Sequence, residues 1–350
     1  EYYCVSLDQG ATCNFSYGCA ACQQFAIAVA NTSTYRVNVV VEINKAAPGE
    51  PLQLEKVAEK AVGGWGIELL PLPMREVECT EWGEDSTGNM RRLNDSQTCL
   101  SSRAYRITTS HPVVVYQFNP VVNVFSNGAS MLIPENGLGK RHWVMGWNTS
   151  NPFAFPLPGQ TIEGLPDYMN VTLVGVEEDT TVEIRTTNPT QGTADGTIAA
   201  AQAGETITVK LGPFDVFNLN SIQDATHFGD FTGTTVISDK KVVVFTGGQR
   251  FSVGAASIKT LPPPPNLEAE TCCTEHLEQQ LFPEEALGKR FVISRTPQRS
   301  TSAPEPDFYR ILATEPQTRV VTNLAEFPSF ALVNACLLYT SPSPRDQSLY

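Results

Sequence analysis

Residues 132–145 read Leu-Ile-Pro-Glu-Asn-Gly-Leu-Gly-Lys-Arg-His-Trp-Val-Met, and residues 281–294 read Leu-Phe-Pro-Glu-Glu-Ala-Leu-Gly-Lys-Arg-Phe-Val-Ile-Ser. Leu, Pro, Glu and Leu-Gly-Lys-Arg agree at one fixed offset, from Pro134 to Pro283. A shorter pair precedes them: Ser-His-Pro-Val-Val-Val-Tyr at 110–116 and Ser-Asp-Lys-Lys-Val-Val-Val-Phe at 238–245. Chance rarely returns such strings in the same order, so the sequence predicts a tandem array of one structural unit of about 140 residues.

Each copy of the unit is rich in strand patterns. The predicted hairpins at 25–43 and 170–186 alternate apolar and polar residues, which is the period of half-buried strands. The Val-Val-Val runs are typical of central strands buried on both faces. Helical turns are plausible only at 52–61 and 274–280. We therefore predict an all-β protein of tandem β-sandwich-like units.

The predicted domain boundaries follow from the repeat and from one foreign stretch. The last fifteen residues include Cys-Leu-Leu-Tyr-Thr-Ser-Pro-Ser-Pro-Arg-Asp, which resembles an in-frame translation of a sequencing-library adapter. Such segments are set aside before fold reasoning, and we expect the chain to be a fragment. The predicted division is a Cys-rich segment at 1–24, a first unit at 25–166, a second at 167–305, a truncated third at 306–335 and the foreign stretch at 336–350.

Composition indicates a globular extracellular protein. The 24 Lys and Arg residues against 37 Asp and Glu give a net charge of −13, which repels phosphate backbones and argues against a nucleic-acid partner. No apolar run reaches the length of a membrane helix. Sequons for N-glycosylation, a weak signal in an Asn/Thr-rich chain, are expected in surface loops. They occur at Asn14, Asn31, Asn94, Asn148 and Asn170.

Cysteine usage supports an oxidising compartment. An even number of cysteines remains once Cys336 is set aside with the foreign stretch, and they crowd into a few short segments. One local pairing, Cys79–Cys99, would close a polar insertion and contribute about 3 kcal/mol by restricting the unfolded loop. The other pairings stay open. The disulfide candidates are Cys4, Cys13, Cys19, Cys22, Cys79, Cys99, Cys272 and Cys273.

Sites for catalysis or metal binding are poorly supported by the sequence. Cys19-Ala-Ala-Cys22 could be a zinc half-site with Cys272, Cys273 and His276, or a redox pair by itself, but disulfides explain the pattern better, and no cofactor is expected. The acidic residues 177–179 could bind Ca²⁺, although a solvated turn is the simpler interpretation. No hydrolase, phosphate-loop or dinucleotide signature is present, so the chain is not predicted to be an enzyme. Among the tryptophans, Trp65 and Trp143 are expected in the core, and Trp82 is the best candidate for an exposed aromatic that could contact a glycan.

Several strings identify a family resemblance. The stretches 104–120 (with Tyr-Gln-Phe-Asn-Pro), 126–134, 232–245, 272–283 (with His-Leu-Glu-Gln-Gln-Leu-Phe-Pro) and 308–313 resemble the N-terminal domain of the IgG Fc-binding protein family. Lys241 and Thr274 depart from the residues usual there. The residues that carry the most specific part of the resemblance are Tyr116, Gln117, Phe118, Asn119, Pro120, His276, Leu277, Glu278 and Gln280.

The resemblance implies a secreted or surface-attached β module with an adhesion or matrix role. We expect a non-enzymatic protein that binds an extracellular protein or glycan, with mucin-like or Fc-like ligands as candidates. The loop 119–130 and the Pro-rich insertion 262–270, which lengthens the second copy, are the predicted binding surfaces. Two alternatives stay open: a structural spacer of a larger surface protein, and a cell-surface hydrolase that would use Glu275, His276 and Glu278.

Overall fold

The chain is built from β-strands joined by turns in the computed structural model. Single turns of 3-10 helix at Glu135–Gly137 and Glu284–Ala286 are the helical segments among the described residues. The predicted all-β fold is therefore confirmed. No described helix is long and apolar enough to cross a membrane. The structure describes residues 1–7, 24–77, 79, 82–84, 90–92, 97–121, 128–149, 154–157, 160–163, 168–222, 229–251, 275–294, 297, 307–323, 329–332 and 337–341.

Residues 1–131, called the first half below, form two four-stranded sheets and a small hairpin, and contribute one further strand to the large sheet of residues 139–280, called the second half. The strands of the first half are β1 (Tyr2–Cys4), β2 (Ala26–Ala30), β3 (Val37–Asn44), β4 (Leu54–Val62), β5 (Ile67–Pro71), β6 (Trp82–Glu84), β7 (Met90–Arg92), β8 (Cys99–Ser101), β9 (Tyr105–Thr109), β10 (Val114–Asn119) and β11 (Gly128–Met131). One sheet has the order β1-β9-β3-β4 and the other β11-β10-β2-β5. Strands β6 and β7 pair with each other.

The second half forms one eight-stranded sheet around a long central strand. Its strands are β12 (Gly139–Trp143), β13 (Ala154–Leu157), β14 (Gln160–Glu163), β15 (Met169–Gly175), β16 (Thr180–Arg185), β17 (Thr206–Leu211), β18 (Val216–Asn220), β19 (Thr235–Phe251) and β20 (Glu275–Gln280). The order is β17-β16-β19-β15-β18-β8, with β12 and β20 also paired to β19. Strands β13 and β14 form a separate hairpin.

The strands lie where the alternating pattern predicts them. Burial alternates along β3 and β17, so one face of each strand packs on a core and the other meets solvent. The strands of the two predicted hairpins are present, but the predicted pairing is wrong. Strands β2 and β3 lie in different sheets, and β19 lies between β15 and β16, so each strand pairs with other strands instead. The Val-rich runs at 113–116 and 242–245 lie in β10 and β19, and Val242, Val243 and Val244 are fully buried.

The same set of pairings occurs in both halves. Strand β2 lies between β5 and β10 and β10 pairs β11, just as β15 lies between β18 and β19 and β19 pairs β20. The registers also correspond. Tyr116 lies opposite Ala28 and Met131, while Phe245 lies opposite Thr172 and Gln280. The recurrence agrees with a duplicated unit, although its length of about 140 residues and its boundaries remain predictions.

Two hydrophobic cores fill the two halves, and the first crosses between them. The second core lies within the second half and includes Val171, Leu173 and Val244. The first core contains the inward side chains of β2, β3 and β9 together with five residues from the second half. These are Val174, Phe214, Val216, Val243 and Phe245. The two halves are therefore joined by shared apolar packing.

Both predicted helical turns are wrong. The segment 52–61 contributes to β4, which pairs with β3 over its whole length, and 274–280 contributes to β20, which pairs with β19. Glu, Lys and Ala in β4 favour a helix locally. Pairing with a neighbouring strand overrides that weak preference, because strand stability depends mainly on context.

The chain divides into two compact units. One comprises Glu1–Ser252 with Thr271–Ala286, and the other comprises Val253–Glu270 with Leu287–Tyr350. Within the second unit, β21 (Asp307–Ile311) pairs with β24 (Leu337–Ser341), and β22 (Thr318–Val321) pairs with β23 (Ser329–Leu332). The predicted domain boundaries and the foreign origin of 336–350 stay predictions.

Candidate functional site

The two strings that carry the family resemblance meet in space. Gln117 on β10 and Glu278 on β20 lie more than 150 residues apart, and Gln117 Nε2 donates to Glu278 Oε2 at 3.1 Å. Gln117 Oε1 accepts from the backbone N–H of Val5 at 3.3 Å. Gln117 is fully buried and Glu278 nearly so. This amide and carboxylate therefore connect β1, β10 and β20 in the interior.

A histidine and a glycine complete the centre of this contact. His276 Nε2 lies 3.5 Å from Glu278 Oε2, and both side chains are almost wholly buried. Gly128 at the start of β11 faces them. A Cβ at Gly128 would lie 2.5 Å from His276 Cδ2 and 2.9 Å from Glu278 Cγ. Only glycine leaves room for the two side chains at this close approach.

The other motif residues extend the contact along the strands. The Gln280 backbone N–H donates to Ser130 Oγ at 2.8 Å, and Gln280 Oε1 accepts from the Ile133 N–H at 2.7 Å. Asn119 Nδ2 donates to the Leu7 carbonyl at 2.6 Å, and the Asn119–Pro120 peptide bond is cis. We call this contact between β1, β10, β11 and β20 the buried seam.

Cys4 lies in the buried seam as a free thiol, so its predicted disulfide is wrong. The side chain is wholly buried on β1. Burial raises the pKa of the Cys4 thiol well above its ordinary value, and the nearby Glu278 carboxylate raises it further. A neutral, enclosed thiol is unreactive, so Cys4 belongs with structural cysteines.

The buried seam encloses the polar side chains of Gln117, His276 and Glu278 in the interior. Gln117 bonds to Glu278 and to the backbone of Val5, and Asn119 and Gln280 each bond to the backbone of another segment. His276 and Glu278, which the hydrolase alternative would use, are enclosed between β11 and β20. The side chain of Glu275 lies outside the described residues. The motif residues that do reach the surface are Tyr116, which is exposed, and Phe118 and Leu277, which are half-buried.

Three exposed aromatic side chains lie on three connections between strands of the first half, the last being His111 between β9 and β10. Trp65, in the β4–β5 turn, is 72% exposed, and Tyr35, in the β2–β3 turn, is exposed as well. His111 stacks on Tyr35 with ring centroids 6.0 Å apart. We call Tyr35, Trp65 and His111 the aromatic tip. The prediction that Trp65 is a core residue is wrong, because the chain turns at Gly63 and Gly64 and leaves the indole outside the sheet.

Asn31 holds the β2–β3 and β4–β5 turns of the aromatic tip together. Its Nδ2 donates to the carbonyls of Tyr35, Val62 and Gly63. The Trp65 N–H donates to Ser33 O at 2.9 Å, and the backbone of Trp65 is left-handed, with φ of 59°. A non-glycine residue at such a φ is uncommon and needs support from its surroundings. The tip is therefore a rigid structure.

Two of the glycosylation sequons that were predicted to lie in surface loops are buried, so that prediction is wrong for them. Asn31 is buried and its amide bridges the turns, and Asn170 on β15 is fully buried. Asn148 is half-buried, and Asn14 and Asn94 lie outside the described residues.

Comparison with known proteins places the chain in a family. The sequence model described as IgGFc binding protein matches residues 128–341, which is more than half of the chain. The chain belongs to the IgG Fc-binding protein family. No curated protein and no solved structure matches it. The predicted resemblance is confirmed, and the family indicates an extracellular binding module.

The family match includes only one side of the buried seam. It begins at Gly128 and contains β11 and β20, whereas the Tyr-Gln-Phe-Asn-Pro string at 116–120 lies before it. The contact between Gln117 and Glu278 shows that this string and the family region belong to one packed structure. Sequence reasoning found both strings but had no signal that would place them side by side.

The remaining predicted site residues fall into three groups. The disulfide Cys79–Cys99 is present as predicted, and Cys99 opens β8 on the edge of the eight-stranded sheet. The acidic turn 177–179 is largely exposed, and no group of three metal-ligating side chains occurs in the described part of the chain. Outside the described residues lie Cys13, Cys19, Cys22, Cys272, Cys273, the side chain of Trp82, the insertion 262–270 and residues 122–127 of the loop 119–130.

Proposed function

We propose that this chain is a non-enzymatic extracellular adhesion module that binds a protein partner through its aromatic tip. The observation that carries the proposal is the exposed Trp65 on a turn held by hydrogen bonds. Trp and Tyr supply large contact areas with few rotatable bonds, which is why they are the usual anchors of protein-binding surfaces.

The rigidity of the tip supports the proposal. Binding costs free energy when loops and side chains must be ordered, and a surface that is already ordered avoids much of that cost. Asn31 bridges both turns, and the Asn31 N–H also donates to Gly66 O at 2.9 Å. The backbone of both turns is therefore ordered before any partner arrives, and the Tyr35 ring also stacks on His111. Family membership supports an extracellular protein as the partner.

The burial of His276 and Glu278 supports a non-enzymatic role. A general acid or nucleophile must come within hydrogen-bond reach of its substrate. In the buried seam these side chains touch other protein groups instead. The spacer alternative predicts that the chain has no ligand, and binding measurements separate it from the proposal.

The test is binding of two probes to the intact chain, an IgG Fc fragment and a secreted mucin, on an optical biosensor. We expect the chain to bind one of them, and Trp65→Ala and Tyr35→Ala each to weaken binding at least about tenfold, the loss typical of an anchor residue. Leu54→Ala, at an exposed apolar position of β4, is the matched control and should bind normally.

Thermal unfolding of each variant shows whether the change is local. Failure of the wild-type chain to bind either probe would contradict the proposal and favour the spacer. Binding that survives both aromatic substitutions but is lost on deletion of residues 261–271 would move the site to the Pro-rich insertion.

A further inference from the structure

We infer that the solvent-facing side of the sheet β11-β10-β2-β5 binds the same surface of a second copy of this chain. We call this surface the outer face. It consists of the side chains of these strands that point away from the first core. Its central row runs Met131, Tyr116, Ala28 and Leu69 across the four strands, and Ile67 lies in the next row opposite Ala30.

The outer face is apolar and exposed to solvent. Ile67 is 74% exposed, Leu69 46%, Tyr116 39% and Met131 38%, and the alanines between them leave the surface flat. Contiguous apolar surface of this kind marks an interaction site in soluble proteins, whereas single exposed apolar residues do not.

The second half contains a surface that corresponds to the outer face, on strands β20, β19, β15 and β18. Residues in the same register there are Gln280, Phe245, Thr172 and Asn218 in the central row, with Val174 and Val216 in the next. All are buried, because the first half packs over them. The surface that corresponds to the outer face is therefore covered by protein in the second half. Among the described residues, the outer face of the first half is left uncovered.

Charge favours a second copy as the occupant. The chain carries a net charge of −13, so most surfaces of two copies repel each other. The outward side chains of β2, β5, β10 and β11 include no Asp, Glu, Lys or Arg. Like faces can meet there without repulsion, and two sheets can pack face to face about 10 Å apart.

The size of the outer face sets the expected affinity. Four strands about 4.8 Å apart, each contributing about five residues, cover roughly 300 Å² per copy, compared with about 800 Å² per partner in a stable complex. We therefore expect a reversible dimer that forms at concentrations of roughly 10–100 µM. The inference does not depend on the proposed function, since the aromatic tip lies on the turns beyond this surface.

Sedimentation velocity of the intact chain at physiological ionic strength, from about 1 to about 300 µM, tests the inference. We expect the wild-type chain to pass from monomer to dimer over this range. Leu69→Lys and Tyr116→Lys should each raise the dissociation constant at least about tenfold, because each places like charges together across the interface. Leu54→Lys on β4 and Ile237→Lys on β19, also at exposed apolar positions, are the matched controls.

A wild-type chain that stays monomeric throughout would overturn the inference. So would a dimer that Leu69→Lys and Tyr116→Lys leave intact, since the contact would then lie elsewhere. Unchanged thermal unfolding of the two lysine variants shows that the loss of association is not a loss of folding. Trp65→Ala should still dimerise, which keeps this result separate from the binding test.

Discussion

Individual residues of this protein often have roles opposite to those their types suggest. Asn31 has the sequon of a glycosylated surface residue, but it is buried and its amide connects two turns. Trp65 sits in an apolar stretch and is exposed. Cys4 belongs to a group that predicts disulfides and is a buried free thiol. In each case the deciding factor is the neighbouring strand or turn that the side chain meets, which the local sequence does not contain.

His142 on β12 should make stability depend on pH. Its ring is buried with an unpartnered Nδ1, and burial lowers the pKa of His142 from 6.5 to about 4. The unfolded chain binds a proton below about pH 6.5, while the folded chain resists it until about pH 4. Stability is therefore complete above pH 6.5 and falls as the pH drops to about 4, by about 3 kcal/mol from this residue.

The matched variant is His142→Phe, because Phe291 occupies the equivalent place in the second copy of the motif. Urea unfolding of both proteins between pH 4 and pH 7 checks the prediction. The variant should gain stability relative to the wild type as the pH falls. A constant difference across this range would show that burial of His142 does not govern its protonation.

At the scale of elements, the buried seam depends on the close approach of β11 and β20. Gly128→Ala should destabilise the fold by about 1–3 kcal/mol, the usual cost of overpacking, because its Cβ would overlap His276 and Glu278. Gly63→Ala is the control, since a Cβ there meets nothing within 4 Å. Chemical denaturation measures both variants. If the Gly128→Ala and Gly63→Ala variants are equally stable, β11 and β20 can move apart without a loss of stability, which would contradict the prediction.

Strand β8, at the edge of the large sheet, is held by a disulfide as well as by its pairing with β18. Cys79–Cys99 closes a loop in the first half, yet Cys99 begins β8, which pairs with β18 of the second half. Gln97, just before β8, accepts hydrogen bonds at Oε1 from Asn220 Nδ2 and Gln249 Nε2. The end of the insertion is thereby joined to the second half by strand pairing and buried amides, while the disulfide closes the insertion within the first half.

At the scale of the whole molecule, the shared first core should make the two halves unfold together. Phe214 lies in the first core beside Tyr3, at 6.1 Å between ring centroids, and Phe231 lies in the second core. Both are fully buried. Phe214→Ala and Phe231→Ala should each cost about 3–5 kcal/mol and lower protection from amide hydrogen exchange in both halves.

Strands β3 and β15 serve as reporters, one for each half. If Phe231→Ala lowers protection in β15 and leaves β3 unchanged, the halves unfold independently and the shared core does not couple them. Equal losses in the two strands would establish one cooperative unit.

The sequence by itself determined most of the strands and the local disulfide, because these depend on alternation and on spacing along the chain. It also carried the family, since the Tyr-Gln-Phe-Asn-Pro and His-Leu-Glu-Gln-Gln-Leu-Phe-Pro strings can be recognised in the primary structure. The tertiary structure alone decided that β4 and β20 are strands, that Gln117 meets Glu278, and that the outer face stays uncovered while its counterpart is buried. Those outcomes depend on contacts between residues far apart in sequence, and local propensities carry no information about which distant strand will be the partner.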